Sequence, residues 1–141
     1  MTRPRILLAD DHAGNAALLR GLLETAYDVV GQVADGHALV AEVERLAPDV
    51  VVTDIGMPGL DGIEAARRIL ARNAAARIVL VTVHADPDLV ERGLAAGALG
   101  YVVKRAAGCA LVPAIRAALE GKRRVTGVAE LDEDGTPKGR P

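Results

Sequence analysis

The sequence predicts an α/β protein, a doubly wound parallel sheet of five strands with helices on both faces. Three observations carry that expectation. Short apolar runs are hydrophobic on both faces, which suits strands covered by helices above and below. Longer amphipathic stretches alternate with them, giving a β-α rhythm repeated five times. The chain has 141 residues, too few for the closed barrel of about eight units and ~250 residues. Right-handed crossovers between parallel strands then put helices on both sides of an open sheet.

Each element has its own warrant. The runs Ile6–Ala9, Val50–Val52 and Ile78–Val81 are branched and apolar throughout, and so is Tyr101–Val103. A weaker strand covers Asp28 to Val33. Leu19, Leu22 and Leu23 share the spacing of a first helical face, and Leu39, Val40, Val43 and Leu46 that of a second. Ile63, Ala66, Ile69 and Leu70 mark the third, and Val90, Leu94 and Ala95 the fourth. Leu111, Val112, Ile115, Ala118 and Leu119 mark the fifth. There Pro113 is expected in the first turn, where a missing N–H is tolerated. Cys109 is expected at the start of that helix, packed as a small hydrophobe.

Residues 1–122 are read as one domain and 123–141 as a flexible tail or linker remnant. The tail is rich in charge, Gly and Pro and has no apolar periodicity.

Composition narrows the function. Half of the residues are hydrophobic and 26% charged, as in a folded globular domain rather than a disordered chain. A net charge of −2 argues against a dedicated nucleic-acid binder. One cysteine excludes an internal disulfide and a multi-cysteine zinc site. No apolar run approaches the ~20 residues that cross a bilayer, and the N-terminus does not read as a signal peptide. A cytoplasmic protein is the expectation.

Ligands of open α/β sheets bind beyond the carboxyl ends of the strands. The first strand ends in Asp10 and Asp11, the third in Asp54, the fourth in Thr82 and the fifth in Lys104. A lone Asp at a strand end is usually a helix cap, but four strand ends delivering complementary polar groups to one rim is a site. Crowded carboxylates repel unless a cation neutralises them. Oxygen ligands select a hard ion such as Mg²⁺. A carboxylate beside such an ion can attack phosphorus, with Lys104 and Thr82 facing the phosphoryl oxygens. The chemistry expected is phosphoryl acceptance.

The segments ILLADDH, DVVVTDIGMPGLDGIEA, IVLVTVH and AGALGYVVK resemble bacterial response-regulator receiver domains of the CheY-like fold. The wording is nearest the NarL/LuxR-type branch, in which a histidine, here His12, follows the acidic pair. The likeness spans roughly residues 4–122. It implies the strand order 2-1-3-4-5, which sets the acidic pair beside Asp54. It also implies that Asp54 is the phosphoacceptor, served by a sensor histidine kinase or a histidine phosphotransfer protein. Mg²⁺ would be bound by Asp11, Asp54 and the backbone carbonyl of Gly56, with Asp10 acting through water. Thr82 and Lys104 would contact the phosphoryl group, and Thr82 with Tyr101 would form the switch. Met57-Pro58 and Gly62 match the loop that shapes the acceptor turn.

Three departures from the common pattern stand out. Arg105 stands where many receivers have proline. Val83, branched, should narrow access for small phosphodonors. Gly56 and His84 occupy positions that influence phosphoryl lifetime.

Such a protein is a signalling phosphoacceptor rather than an enzyme, assisting only its own phosphotransfer and autodephosphorylation. Its output would run through protein contacts to an unidentified target, with no membrane and no nucleic acid contacted by this chain, and homodimerisation left open. The alternative is the receiver half of a NarL/LuxR-type DNA-binding regulator, whose helix-turn-helix would have to follow Arg124. A haloacid-dehalogenase-like phosphatase also uses an aspartyl-phosphate, but it needs a second aspartate where this chain has Gly56. A degenerate receiver acting as a phosphate-independent adaptor fits poorly with an intact acidic pair, Thr82 and Lys104.

Overall fold

The computed structural model describes residues 3–83 and 86–126. Strands and helices alternate: β1 (Arg5–Ala9), α1 (Ala13–Glu24), β2 (Asp28–Val33), α2 (Gly36–Leu46), β3 (Val50–Asp54) and α3 (Gly62–Arg72) come first. Then follow β4 (Ile78–Thr82), α4 (Pro87–Ala95), β5 (Gly100–Val103), a short 3₁₀ turn over Lys104–Ala106, α5 (Ala107–Leu119) and β6 (Arg124–Thr126). The strands form one sheet in the order β2-β1-β3-β4-β5-β6, every pair parallel.

Period-two alternation explains why the central strands read as apolar throughout. Leu7, Val51, Leu80 and Tyr101 face one side and pack with Leu39 of α2, Ile63 and Ile69 of α3, and Val90 and Leu94 of α4. Ile6, Val52, Val79 and Val102 face the other, against Leu19 and Leu23 of α1 and Leu111 and Ile115 of α5. With no Phe or Trp, the sheet is sealed by aliphatic side chains, each worth about 1.5–3 kcal/mol when fully buried.

Four of the helices start on side-chain caps, worth typically ~1 kcal/mol each. His12 Nδ1 accepts from the Asn15 amide at 3.2 Å. Asp35 and Asp61 cap α2 and α3 through the amides of Ala38 and Glu64, both at 2.8 Å. Asp86 caps α4, with Pro87 in its first turn.

Three sequence expectations need correction. The sheet has six strands, because Arg124–Thr126, assigned to the flexible tail, pairs with Gly100–Val102. An edge strand this short has no periodicity to read, and it forms because β5 offers it free backbone groups. Pro113 lies in the second turn of α5 rather than the first, since the helix already starts at Ala107, four residues before its Leu111–Leu119 apolar pattern. Cys109 is exposed and donates its thiol to the Ala106 carbonyl at 3.4 Å, so it caps a turn instead of filling a core. Residues 127–141 of the expected tail, and His84, lie outside the described residues.

Candidate functional site at the carboxyl rim of the sheet

β1 and β3 are neighbours in register, with Ala9 opposite Thr53. The residues that follow each strand therefore converge. Carboxylate oxygens of Asp10, Asp11 and Asp54 all lie within 4.8 Å of one another. Asp10 and Asp54 are buried, whereas Asp11 faces solvent. Lys104, delivered by β5, two strands from β3 and three from β1, reaches across to them. Its Nζ is 2.7 Å from Asp10 Oδ2 and 3.2 Å from Asp54 Oδ2.

The loop after β3 is shaped to present Asp54. Thr53 Oγ1 donates to the Asp54 carbonyl at 2.9 Å. The amides of Met57 and Gly62 both donate to the Ile55 carbonyl, at 3.1 and 2.8 Å. Gly59 turns the chain at φ 75°, the left-handed region in which glycine is at no disadvantage. Gly62 is held so close to β3 that a Cβ there would lie 2.0 Å from the Asp54 carbonyl oxygen. On the β1 side, Asp10 Oδ1 accepts from the His12 amide at 2.8 Å, which fixes that carboxylate in place.

Electrostatics follow from burial. Desolvation pushes the Asp54 carboxyl above its ordinary pKa, and the nearby Lys104 charge only partly offsets this. For Lys104, burial pulls downward. The close Asp10 carboxylate, together with the charge and hydrogen bond of Asp54, outweighs it, so the ammonium is held above its usual value. The site is a desolvated carboxylate pair with one internal counter-cation.

The same geometry tests whether a divalent cation fits. Asp10 Oδ2 is completely buried, yet it lacks a hydrogen-bonding partner. Its 2.7 Å approach to Lys104 is an ion pair off hydrogen-bond alignment. Three acids with oxygens this close, one of them open to solvent and one with a buried oxygen that meets Lys104 without a hydrogen bond, are an oxygen-donor arrangement of the kind that hard divalent ions take. The residues present fit Mg²⁺.

Thr82 is buried at the end of β4, in register with Val103. Val83, next to it, is 60% exposed. Tyr101 is fully buried, its ring lying over Gly93 of α4, where an added Cβ would come within 3.5 Å of the ring. Burial, and then the Asp86 charge, push the Tyr101 phenol up to about 12. The structure thus brings Asp10, Asp11, Asp54 and Lys104 together directly. Thr82 stands on the adjacent strand end, and exposed Gly56 lies two residues beyond Asp54. The parts played by Thr53 and the His12 amide were invisible in the sequence, because each is a hydrogen bond that only the folded loops make, from Thr53 Oγ1 to the Asp54 carbonyl and from the His12 amide to Asp10 Oδ1. A cavity of about 390 Å³, lined by Val40, Val43, Val51, Ile69, Arg72 and Arg77, lies between α2 and α3 at the amino ends of β3 and β4, away from the acids.

Comparison with known proteins agrees with this geometry. The sequence model described as response regulator receiver domain matches residues 6–116, and the chain belongs to that family. It is a receiver domain of a two-component response regulator, a signalling module rather than a classical enzyme. Among curated relatives, the transcriptional regulatory protein PdtaR of Mycobacterium tuberculosis is 40% identical over 134 residues, covering 92% of this chain and 65% of that protein. The response regulator UvrY of Escherichia coli is 38% identical, covering 85% of this chain and 56% of UvrY. The transcriptional regulatory protein LiaR of Bacillus subtilis is 37% identical, with coverage of 86% and 58%. The chain thus spans between about half and two thirds of the length of these relatives. Among solved structures, a LuxR-family two-component response regulator from Aurantimonas sp. SI85-9A1 superimposes with a TM-score of 0.83 at 38% identity, covering 89% of this chain and 90% of that one. The isolated receiver domain of RcsB from Salmonella enterica serovar Typhimurium, solved with phosphomimetic BeF3-, gives a TM-score of 0.81 at 28% identity, covering 89% of this chain and 95% of that one.

Proposed function

We propose that this chain accepts a phosphoryl group on Asp54 from the phosphohistidine of a sensor kinase or phosphotransfer protein and relays that event through its surface. The observation that carries the reading is the convergence of the Asp10, Asp11 and Asp54 carboxylates within 4.8 Å, with the Lys104 ammonium against two of them. In the transfer, an Asp54 carboxylate oxygen attacks phosphorus. A P–O bond forms as the P–N bond to the donor imidazole breaks, and the imidazole leaves with its proton. Asp11, Asp54 and the Gly56 carbonyl would hold Mg²⁺, with Asp10 beside them. The ion supplies positive charge that lowers the repulsion between two anions and neutralises the phosphoryl oxygens. Lys104 adds a point charge on the other side, and Thr82 a hydroxyl donor. Reversal by water breaks the new P–O bond, releases phosphate and restores the carboxylate, which is the chain's autodephosphorylation.

The added charge of about −1.5 to −2 draws Thr82 toward the phosphoryl group, and the space it leaves favours the inward position that the buried Tyr101 ring already takes in this structure. The switched surface comprises α4, β5 and α5, and it acts on a protein target, with no contact to nucleic acid or membrane from this chain. Among the described residues no helix is long and apolar enough to cross a membrane, which is compatible with a cytoplasmic setting. Residues 1–122 are proposed as the body of the phosphoacceptor domain, with β6 (Arg124–Thr126) completing its sheet. A second reading, the receiver part of a NarL/LuxR-type transcription regulator, is favoured by the fraction of PdtaR, UvrY and LiaR that the chain spans.

The test is incubation with Mg²⁺ and a panel of autophosphorylated histidine kinases, followed by intact-mass measurement. The wild type should gain one phosphoryl group and Asp54→Asn none. Tyr101→Ala should still be phosphorylated while losing the downstream response. Equal labelling of Asp54→Asn would remove Asp54 as the acceptor.

A further inference from the structure

The sixth strand stands outside the five-unit rhythm of the sequence, and the segment that leads into it touches all three elements around Tyr101. At the end of α5, Gly121 takes φ 74°. Its amide donates to the Ala118 carbonyl at 2.9 Å and that of Lys122 to Ala117 at 2.8 Å. These paired bonds form a Schellman turn, which sends the chain back along the sheet. At the end of α4, the Arg123 guanidinium donates to the Leu94 carbonyl at 3.4 Å. Along β5, the Arg124 amide donates to the Leu99 carbonyl at 2.8 Å, and Tyr101 sits in register with Val125. Registered neighbours on parallel strands point to the same face, and Val125 packs into the apolar cluster that holds the Tyr101 ring. Docking is not fully favourable, however. Thr126 Oγ1 is buried without a hydrogen-bond partner, a state that disfavours the docked form.

We propose that residues 122–126 are a strap whose docking on β5 and the burial of Tyr101 constitute one two-state element, so that strap docking and phosphorylation of Asp54 bias each other. The proposal rests on the reading of Tyr101 as the switch residue. Val125, in register with Tyr101, is part of the apolar wall of the cluster that holds the ring, and Gly93 of α4 leaves the room the ring takes. Removing the wall lowers the preference of the ring for its inward position, and an outward ring removes the apolar surface on which Val125 rests. Linkage makes the effect reciprocal: whatever factor phosphorylation contributes to strap docking, docking returns to phosphoryl binding.

The experiment uses the full chain with two substitutions. Arg124→Pro deletes the amide that bonds Leu99 and alters only an exposed side chain. Val125→Asp removes the apolar wall. Hydrogen exchange of residues 100–103 and 124–126 is followed together with nitration of Tyr101 by tetranitromethane, with Tyr27 as internal reference. Both are measured with and without beryllium fluoride plus Mg²⁺. Circular dichroism verifies that each variant remains folded. The expected result is about a tenfold loss of strap protection in both variants, with a comparable rise in Tyr101 nitration, as for coupling of ordinary strength. Beryllium fluoride should raise strap protection in the wild type. Loss of strap protection with unchanged Tyr101 nitration overturns the proposal, as does strap protection indifferent to beryllium fluoride in protein whose Asp54 binds it. Failure of Asp54 to take up phosphate or its analogue would instead overturn the function proposed above, and the comparison of variants without the analogue would still decide the link between strap and tyrosine.

Discussion

Asp54 is the residue on which chemistry and stability meet. Its carboxyl is pushed upward by burial, so between the unfolded value of about 3.8 and its higher folded value the native state retains a proton that the unfolded chain has released. Its contribution is therefore most favourable below the unfolded pKa, and it is lost as pH rises through the folded one. Without Mg²⁺, the stability of Asp54→Asn relative to wild type should climb across that window, as read from urea unfolding at a series of pH values. A flat difference would mean that Lys104 compensates fully. Gly62 makes a separate prediction. A methyl group there meets the Asp54 carbonyl oxygen, so Gly62→Ala should cost about 1–3 kcal/mol, as overpacking typically does, and slow the proposed phosphorylation by displacing Asp54. The acids, Thr82 and Lys104 could be read from the sequence because strand ends in a parallel sheet share one rim. The Asp10–Lys104 ion pair could not, since nothing in a linear order says how far a lysine three strands away will reach.

At the level of elements, the alternation of strands and helices was legible wherever both faces of a strand are covered. β1, β3, β4 and β5 announce themselves as apolar runs, and β2, an edge strand whose positions are half-buried or exposed, only weakly. The sixth strand and the early start of α5 escaped for the same reason. Arg124–Thr126 and Ala107–Ala110 are fixed by neighbours rather than by their own patterns. The end of α2 offers a clean measurement. Ala47 adopts a left-handed conformation at φ 46°, which is costly for any residue with a Cβ. The residue is exposed, so no packing is lost on substitution. Ala47→Gly should stabilise the fold by about 0.5–1 kcal/mol after allowance for the greater entropy of unfolded glycine. Thermal and chemical denaturation should agree on the sign.

Across the molecule, the acids are brought together only by folding, because Asp10 and Asp54 come from separate strands. Mg²⁺ should consequently bind the native state and not the unfolded chain. Saturation should raise stability by about 2.7 kcal/mol at roughly 100 Kd, visible as a higher Tm that returns to its starting value on chelation. Asp11→Asn should erase most of that gain while leaving the metal-free Tm nearly unchanged, since Asp11 is exposed. Equal stabilisation of the variant would place the ion elsewhere.

Because β6 runs alongside β5 in the same direction, the backbone at Thr126 is heading toward the end of the sheet where the proposed acceptor, Asp54, lies. An antiparallel hairpin would have sent it the opposite way. Strand polarity alone therefore determines that cargo spliced on just past this point starts out on the side of the protein that carries Asp54, within range of any kinase that docks there as proposed.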